Sequence, residues 1–571
     1  MAHLHKKMKK GRAYYYVRET QRIGGTPTVV NQVYLGTAGK ILSVFMGKPQ
    51  LPKRFSSKEF GSIFVLHELD REIGLAEMVD QVVPRRRRSE GPSCGQLLLY
   101  AVLNRAIAPR SKRQLASWYE RTDIQNIRPV RLEALSPQNF WNHWARIGER
   151  QLEEIANGFF RKLQGLLPGQ EEHYLFDTTN YYTYLDSRTP SELAKRGHNK
   201  ASKHHLRQVG LALITERASG IPIYYRSYAG NQHDARFFQL HLDEILEKLT
   251  AMGVAPRALT LIFDKGMNSE EAIGRIDAEP RLHFITSYSP YFAPELARIA
   301  LKHFRALPCK ANQELLVKGK PQDQVLFFET TASFWGRQRK VLITFNPRTF
   351  RKKRYDLREK LQRMRQELYE MRRKHREGAP HWREPSVVKA HYVQRCGALH
   401  LNPEFFQLSF YQQKARPTMA FQLNRYQVES QLRRFAKTIL ITDHHHWAAQ
   451  EIYQAYMDRH IMEDQFRRSK SPFQVALMPQ YHWTDSKIRI HVFVCMVALS
   501  YLTLLQQRLK TAGMPISIRE AMEELRSLRT AIYWMPNERK PRRLLEEPNS
   551  TQLAILQALG FQVKDGRVLQ R

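Results

Sequence analysis

The stretch Tyr453–Lys470, "YQAYMDRHIMEDQFRRSK", decides how the rest of the chain is read. Within it Tyr456, Arg459, Glu463 and Lys470 are separated by two, three and six residues. At about 100° per residue on an α-helix these four fall within a stripe about 60° wide. Ala455, Met462 and Phe466 fall beside that stripe, so the polar row borders an apolar face. A solvated helix with scattered charge would also give such a row. The remainder of the chain has to separate the two readings.

The composition points to a polyanion. The 571 residues include 91 Lys and Arg against 54 Asp and Glu, a net charge of +37. Hydrophobic residues at 42% and aromatics at 11% argue for packed cores, and the length has room for roughly three or four domains. A soluble enzyme for small metabolites has no need of so positive a field, whereas each cation that meets a phosphate releases condensed counterions. DNA or RNA is the first partner expected, and an acidic membrane surface the second. The most apolar run, Val492–Leu505, has 14 residues, fewer than the ~20 of a spanning helix, and reads as a buried core helix. The N-terminal "MAHLHKKMKKGRAYYY" is basic, with no apolar segment behind it to make a secretory signal. Cys94, Cys309, Cys396 and Cys495 lie far apart without the paired spacing of a zinc or disulfide framework. A reducing cytoplasm is the expected setting, with no membrane.

Along the chain, residues 12–36 hold two β-rich runs joined by Gly24-Gly25, a hairpin. The "PRRRR" at 84–88 reads as a solvated basic loop. Two helical patterns flank Pro109, "GQLLLYAVLNRAIA" and "SKRQLASWYER", either a small helical DNA-binding element or core packing. The middle is more regular. "HYLFD" (173–177), "RQVGLALIT" (207–215) and "IPIYYRSY" (221–228) read as strands, followed by a helix over 233–253. "ALTLIFD" (258–264), the short helix "NSEEAIGRI" and "LHFITSYS" (282–289) complete an order of strand, strand, strand, helix, strand, helix, strand. The first and fourth strands end in a carboxylate. Residues 325–345 predict a further hairpin. In 351–376, with 12 Lys or Arg against 4 acids, Leu357, Leu361, Met364, Leu368 and Met371 step by 4, 3, 4 and 3. That is an a/d seam for pairing with another helix.

Asp177 and Asp264 each follow an apolar strand, where an unpaired carboxylate is costly. With Glu463 they make three hard oxygen donors, a set suited to Mg²⁺ or Mn²⁺ rather than zinc. On a basic chain this points to phosphodiester chemistry and a pair of metal ions. Asp186, Asp234, Asp443 and Asp485 are weaker candidates.

At this point the residues carry a family resemblance. Tyr456-x2-Arg459-x3-Glu463-x6-Lys470 is similar to the signature of the DDE insertion-sequence transposases. "YLFDTTN" and "LIFDKGMNSEEAI" resemble the family's two Asp strands, and "SKHHLRQVGLALITERASGIPIYYRSYAGNQHD" its linking hairpin with a Gly230-Asn231-x-x-Asp234 ending. "HWTDSKIRIHVFVCMVAL" (482–499) resembles the helix that follows the Glu helix. The likeness spans about 170–505. It implies an α/β fold, an RNase H-like mixed sheet flanked by helices, whose first and fourth strands lie side by side. That would join Asp177 and Asp264 across 87 positions, with a large mixed insertion filling the 199 before Glu463. The implied layout is an N-terminal hairpin and helical DNA-binding region (1–165), a first core part (166–290), an insertion (291–436), a second core part (437–510) and a C-terminal helical region (511–571). The resemblance implies a bacterial, DNA-associated transposase that cleaves the phosphodiester at the element's ends and transfers the freed 3′-OH to target DNA. Asp177, Asp264 and Glu463 would hold two Mg²⁺ or Mn²⁺, while Tyr456, Arg459 and Lys470 bind the DNA end. The partners implied are double-stranded terminal repeats, target DNA and a second copy of the chain in a synaptic complex.

Other readings stay open at this level. Tyr456 could be a covalent nucleophile beside a His3-Leu4-His5 metal site, although those histidines fall in a frayed terminus. "DHHH" (443–446), or His482 with Asp485, could bind a metal, and Trp335 and Trp447 could stack on a displaced base. A catalytically inactive DNA-binding regulator derived from a transposase, or a structure-selective nuclease of the same fold, would share most of these features.

Overall fold

The computed structural model describes residues 1–46, 51–85, 91–167, 173–197, 203–251, 259–414, 416–536 and 538–570. Most of the basic loop at 84–88 and the end of the 233–253 helix, Gly253 included, lie outside the described residues. Strands are numbered in chain order: β1 (Ala2–Lys9), β2 (Arg12–Ile23), β3 (Thr26–Gly36), β4 (Arg54–Glu59), β5 (His173–Thr183), β6 (Arg207–Glu216), β7 (Pro222–Ala229), β8 (Leu259–Phe263) and β9 (Leu282–Tyr288). Then follow β10 (Arg305–Ala306), β11 (Leu326–Phe334), β12 (Arg337–Phe345), β13 (Phe406–Gln413), β14 (Arg416–Leu423), β15 (Lys437–Thr442), β16 (Arg529–Trp534), β17 (Arg542–Leu545), β18 (Phe561–Lys564) and β19 (Arg567–Gln570).

The apolar runs of the middle third form the centre of a nine-stranded sheet in the order β10-β11-β12-β15-β9-β8-β5-β6-β7. Strand β6 has nine of its ten residues buried, as a strand covered on both faces requires. β5, β6 and β7 make an antiparallel meander, while β8 pairs parallel with both β5 and β9. Parallel neighbours need a crossover, and the helices Asp234–Ala251 and Glu270–Ala278 supply two. At Gly230, which ends the hairpin motif, a Cβ would lie 1.9 Å from the Gln208 carbonyl oxygen. Only glycine allows that approach of backbone to backbone.

Residues 291–436 do not form one block. The hairpin β11–β12 joins the central sheet, with β12 antiparallel to β15, and Phe327, Val341, Leu342 and Ile343 belong to the main core. Residues from Leu357 to Phe435 have a core of their own. There the seam residues Leu357, Met364, Leu368 and Met371 of the helix Pro347–Arg376 pack with Val388, Tyr392 and Cys396 of the helix Pro385–Leu399 and with the β13–β14 hairpin. The seam is satisfied within the chain.

One open reading closes and one expectation changes. The helix Cys94–Ile107 before Pro109 is core, with twelve of fourteen residues buried. The stretch 511–571, read as helical, contains the helices Ile518–Ser527 and Ser550–Ala558 and also β16–β19, and β16 pairs with β4 from the N-terminal third. Alternation in these four- to six-residue strands is too short to register against the flanking helical patterns. The helix Asp485–Thr511 extends the 14-residue apolar run to 27 residues; it is long and apolar enough to cross a membrane, and 94% of its most apolar window is buried against the rest of the chain.

Lys112 is buried with its Nζ 4.3 Å from the Trp144 ring centre. Burial, then the neighbouring Arg105, pulls its ammonium down to about 7, whereas an unfolded lysine stays protonated to about 10.4. Between those limits the unfolded chain binds more protons, so stability rises with pH and is lost as pH falls through about 7. The slope contributed is at most ~1.4 kcal/mol per pH unit. Urea unfolding of Lys112→Met should lack this slope and show higher stability than wild type at pH 7. Equal slopes would contradict the assignment.

Candidate active site

Register fixes the first two acids. Parallel pairing of β5 with β8 runs His173↔Thr260, Tyr174↔Leu261 and Leu175↔Ile262. Asp177 and Asp264 each lie two positions past the last pair, so they stand level and on one face, on strands about 4.8 Å apart. The two acids differ in setting. β5 does not end at Asp177, as expected, but runs on to Thr183 because β6 pairs with it throughout. β8 does stop, and Asp264 caps a short 3₁₀ turn by accepting the Lys265 N–H at 2.9 Å.

The helical row of the opening stretch meets this pair from above. It is not one helix: Ala449–Met457 and His460–Lys470 are separated at Asp458 and Arg459. Both junction residues keep helical backbone angles, but the hydrogen bonds tighten to three-residue turns, Arg459 N–H to Tyr456 and Ile461 N–H to Asp458. Asp458 is fixed there by Arg217, whose Nε donates to it at 2.7 Å from the β6–β7 turn. Arg459 thereby enters between the two aspartates. Its Nη1 is 3.3 Å from Asp264 Oδ1 and its Nη2 is 3.9 Å from Asp177 Oδ2. It donates to the Tyr456 hydroxyl at 2.7 Å, which in turn donates to Asp264 at 3.2 Å.

Charges follow from these contacts. Burial acts to raise the Asp264 carboxyl, but Arg459, the Ser287 hydroxyl, the Lys265 N–H and Tyr456 outweigh it and hold the group below its ordinary value. Burial raises the Tyr456 phenol, which stays neutral. Asp264 remains 41% exposed at its side chain, so an ionised carboxylate faces the surface.

Glu463 is exposed on the same row. Its neighbours on the helix mark where it points: Arg459, about 6 Å along the axis, touches both aspartates, and Lys470, about 10 Å the other way, donates to Thr179 Oγ1 of β5 at 2.6 Å. Thr179 is two positions from Asp177 and so shares its face. Among the described residues Asp177, Asp264 and Glu463 do not bring their oxygens into one tight group; the single His, Cys, Asp and Glu group that does so is His283, Asp443 and His444, within 4.8 Å. Arg459 lies between the two aspartates instead.

The donor chemistry fits a hard divalent cation. Two carboxylates stand side by side, one of them held ionised and open, with a third on the facing helix. The Arg459 contacts to them, at 3.3 and 3.9 Å, exceed hydrogen-bond length, and its buried Nε has no partner among the described residues. It balances charge without saturating the oxygens.

Sequence reasoning missed Ser287, which donates to Asp264 at 2.8 Å from β9; its position on the strand next to β8 was the available signal. It also missed Arg217. The remaining candidates are engaged elsewhere. Asp485 holds the 191–192 turn through Ser191 and Glu192, Asp234 accepts from Tyr228 and Asp186 from the Arg188 N–H. Asp443 accepts from the Phe284 N–H and contacts His283, near the opposite end of the parallel strands from Asp264. His482 is buried against Trp141, Trp144 and His491, not joined to Asp485. Trp335 packs on Phe284, Tyr288 and Phe334, and Trp447 on His444 and His173. His3 and His5 lie not in a frayed end but in β1, paired along its length with β2.

No protein-family model matches the chain. No curated protein matches its sequence. Among solved structures the chain is similar to the cryo-EM structure of a piggyBac transposase synaptic complex with hairpin DNA, at 11% identity and a TM-score of 0.35, over 83% of this chain and 82% of that one.

Proposed function

We propose that the protein is a DDE-type DNA transposase with an RNase H-like core, cutting phosphodiesters at element ends and joining the freed 3′-OH to target DNA. One observation carries the proposal: Asp177 on β5 and Asp264, just past the end of its parallel neighbour β8, stand level under the helix pair that bears Tyr456, Arg459, Glu463 and Lys470. The order β7-β6-β5-β8-β9, an antiparallel meander continued by two parallel strands, supports the core assignment.

Asp177, Asp264 and Glu463 would hold two Mg²⁺ or Mn²⁺, which when bound supply an activated oxygen nucleophile and stabilise the leaving oxygen. The chain's own groups do the rest. Arg459 and Lys470, on either side of Glu463, bind phosphates flanking the cut, the first through a planar fork and the second as a point charge. Tyr456 stays protonated, tied to Asp264 and Arg459, and orients the guanidinium; water and a DNA hydroxyl, not this phenol, are the nucleophiles. Ser287 and the Lys265 N–H keep Asp264 ionised and aimed. Pairing two ends calls for at least two copies of the chain.

The test uses the full chain and duplexes ending in the inverted repeats that flank its gene, with and without Mg²⁺. The proposal expects metal-dependent nicking at the repeat ends followed by strand transfer to a target plasmid. Binding without cutting would instead favour a regulator, and cutting of branched substrates without end joining a structure-selective nuclease.

A further inference from the structure

Among the described residues the N-terminal sheet β1–β3 pairs with no other strand, and of residues 1–46 only Gly36 is buried. Apart from contacts of β2 and β3 with the short helix Ala38–Phe45, the sheet stays largely open to a partner, and the register shows which. Opposed residues share a face, so the pairs His3↔Arg18, His5↔Tyr16, Lys7↔Tyr14, Lys9↔Arg12 and Tyr16↔Tyr34 define one side. That side carries Lys7, Lys9, Arg12 and Arg18, two histidines and three tyrosines. Its rings are clustered, Tyr14–Tyr34 at 6.2 Å and Tyr16–Tyr34 at 5.1 Å between centres, and Tyr34 is 52% exposed. No acid lies among these residues; Glu19 belongs to the other side, opposite Ala2, with Leu4, Lys6, Met8, Val17 and Val33. Desolvation, then Arg18, His3 and Lys7, lowers the His5 imidazole from its ordinary value, in keeping with a crowded positive face.

Building on the DNA reading above, we propose that the tyrosine-and-cation face of β1–β3 is a docking surface for duplex DNA, separate from the cleavage centre. Most of these groups lie on the β1–β2 pair, a two-stranded ribbon of the kind that a major groove of about 12 Å admits, as sheet-type readers use. The cations meet phosphates, and the tyrosine hydroxyls and rings meet backbone and base edges. Among the described residues, none of this sheet belongs to the main core.

The test measures duplex binding by the full chain in EDTA, so that cleavage plays no part, as fluorescence anisotropy across a salt series. Lys7→Ala/Arg12→Ala/Arg18→Ala should weaken binding at least ten-fold and reduce the slope of log K against log salt by about 3, roughly one per lost phosphate contact. Tyr14→Ala/Tyr16→Ala should weaken binding with a smaller change in slope. Lys6→Ala, on the opposite face, should stay within two-fold of wild type, and circular dichroism melts should coincide for all variants. If wild type binds duplex and the face variants bind equally well, or if they lose self-association rather than DNA, the proposal is overturned while the transposase reading stands. If wild type binds through this face yet never cuts with Mg²⁺, the proposal holds and the transposase reading fails.

Discussion

Asp177→Asn is expected to abolish Mg²⁺-dependent cleavage while leaving duplex binding in EDTA within a few-fold of wild type. The amide keeps the shape of the carboxylate, which accepts the Thr178 N–H at 2.8 Å from mid-strand β5. It removes the negative charge that would anchor a hard cation. If that anchoring is worth several kcal/mol in the transition state, the rate falls roughly 10³-fold or more. Because β5 pairs with β6 on both sides of Asp177, the strand itself should persist and the melting temperature should change little. Gel-resolved single-turnover cleavage and anisotropy on one preparation would read both effects. Wild-type cleavage rates in the variant would remove Asp177 from the site.

The second large effect has opposite signs in two assays. Arg459 sits between Asp177 and Asp264 and competes electrostatically with any cation they hold. Arg459→Ala should therefore bind Mn²⁺ more tightly in the absence of DNA. With Asp264 partly exposed, the lower end of the Coulomb range applies, about 1 kcal/mol, or roughly five-fold in affinity. Cleavage should fall in the same variant, on the order of 10²-fold, because the proposed phosphate-binding fork, which Tyr456 orients, is gone. Mn²⁺ titration followed by electron paramagnetic resonance, beside the cleavage assay, checks both. A variant that loses Mn²⁺ affinity would show that Arg459 supports the carboxylates rather than competing for them.

Much of this site was legible in the helical row. The 3.6-residue period alone places Tyr456 and Arg459 on one edge and puts Glu463 and Lys470 beside them. Its geometry was not. The break at Asp458–Arg459 has no Pro or Gly to announce it and goes with Arg217, a partner 241 positions away. The side-by-side placement of Asp177 and Asp264 came from family likeness, since pairing between β5 and β8 is set by long-range registry that no local window contains. Strand β1 was missed because "HLHKKMKK" is poor in β-formers; it is read only against β2, where Lys7 faces Tyr14 and His5 faces Tyr16. The hairpin at 325–345 was plain from its two apolar runs, but its membership of the central sheet depends on β15, almost a hundred residues downstream.

The central claim is that Asp177, Asp264 and Glu463 jointly hold the reactive cations. Crystals of the full chain soaked in Mn²⁺, with anomalous diffraction at the manganese edge, test it most directly. Manganese peaks are expected beside the Asp177 and Asp264 carboxylates, with the Glu463 carboxylate turned inward toward them. Peaks confined to His283, Asp443 and His444, or an Asp-bound ion with Glu463 still facing solvent, would contradict it.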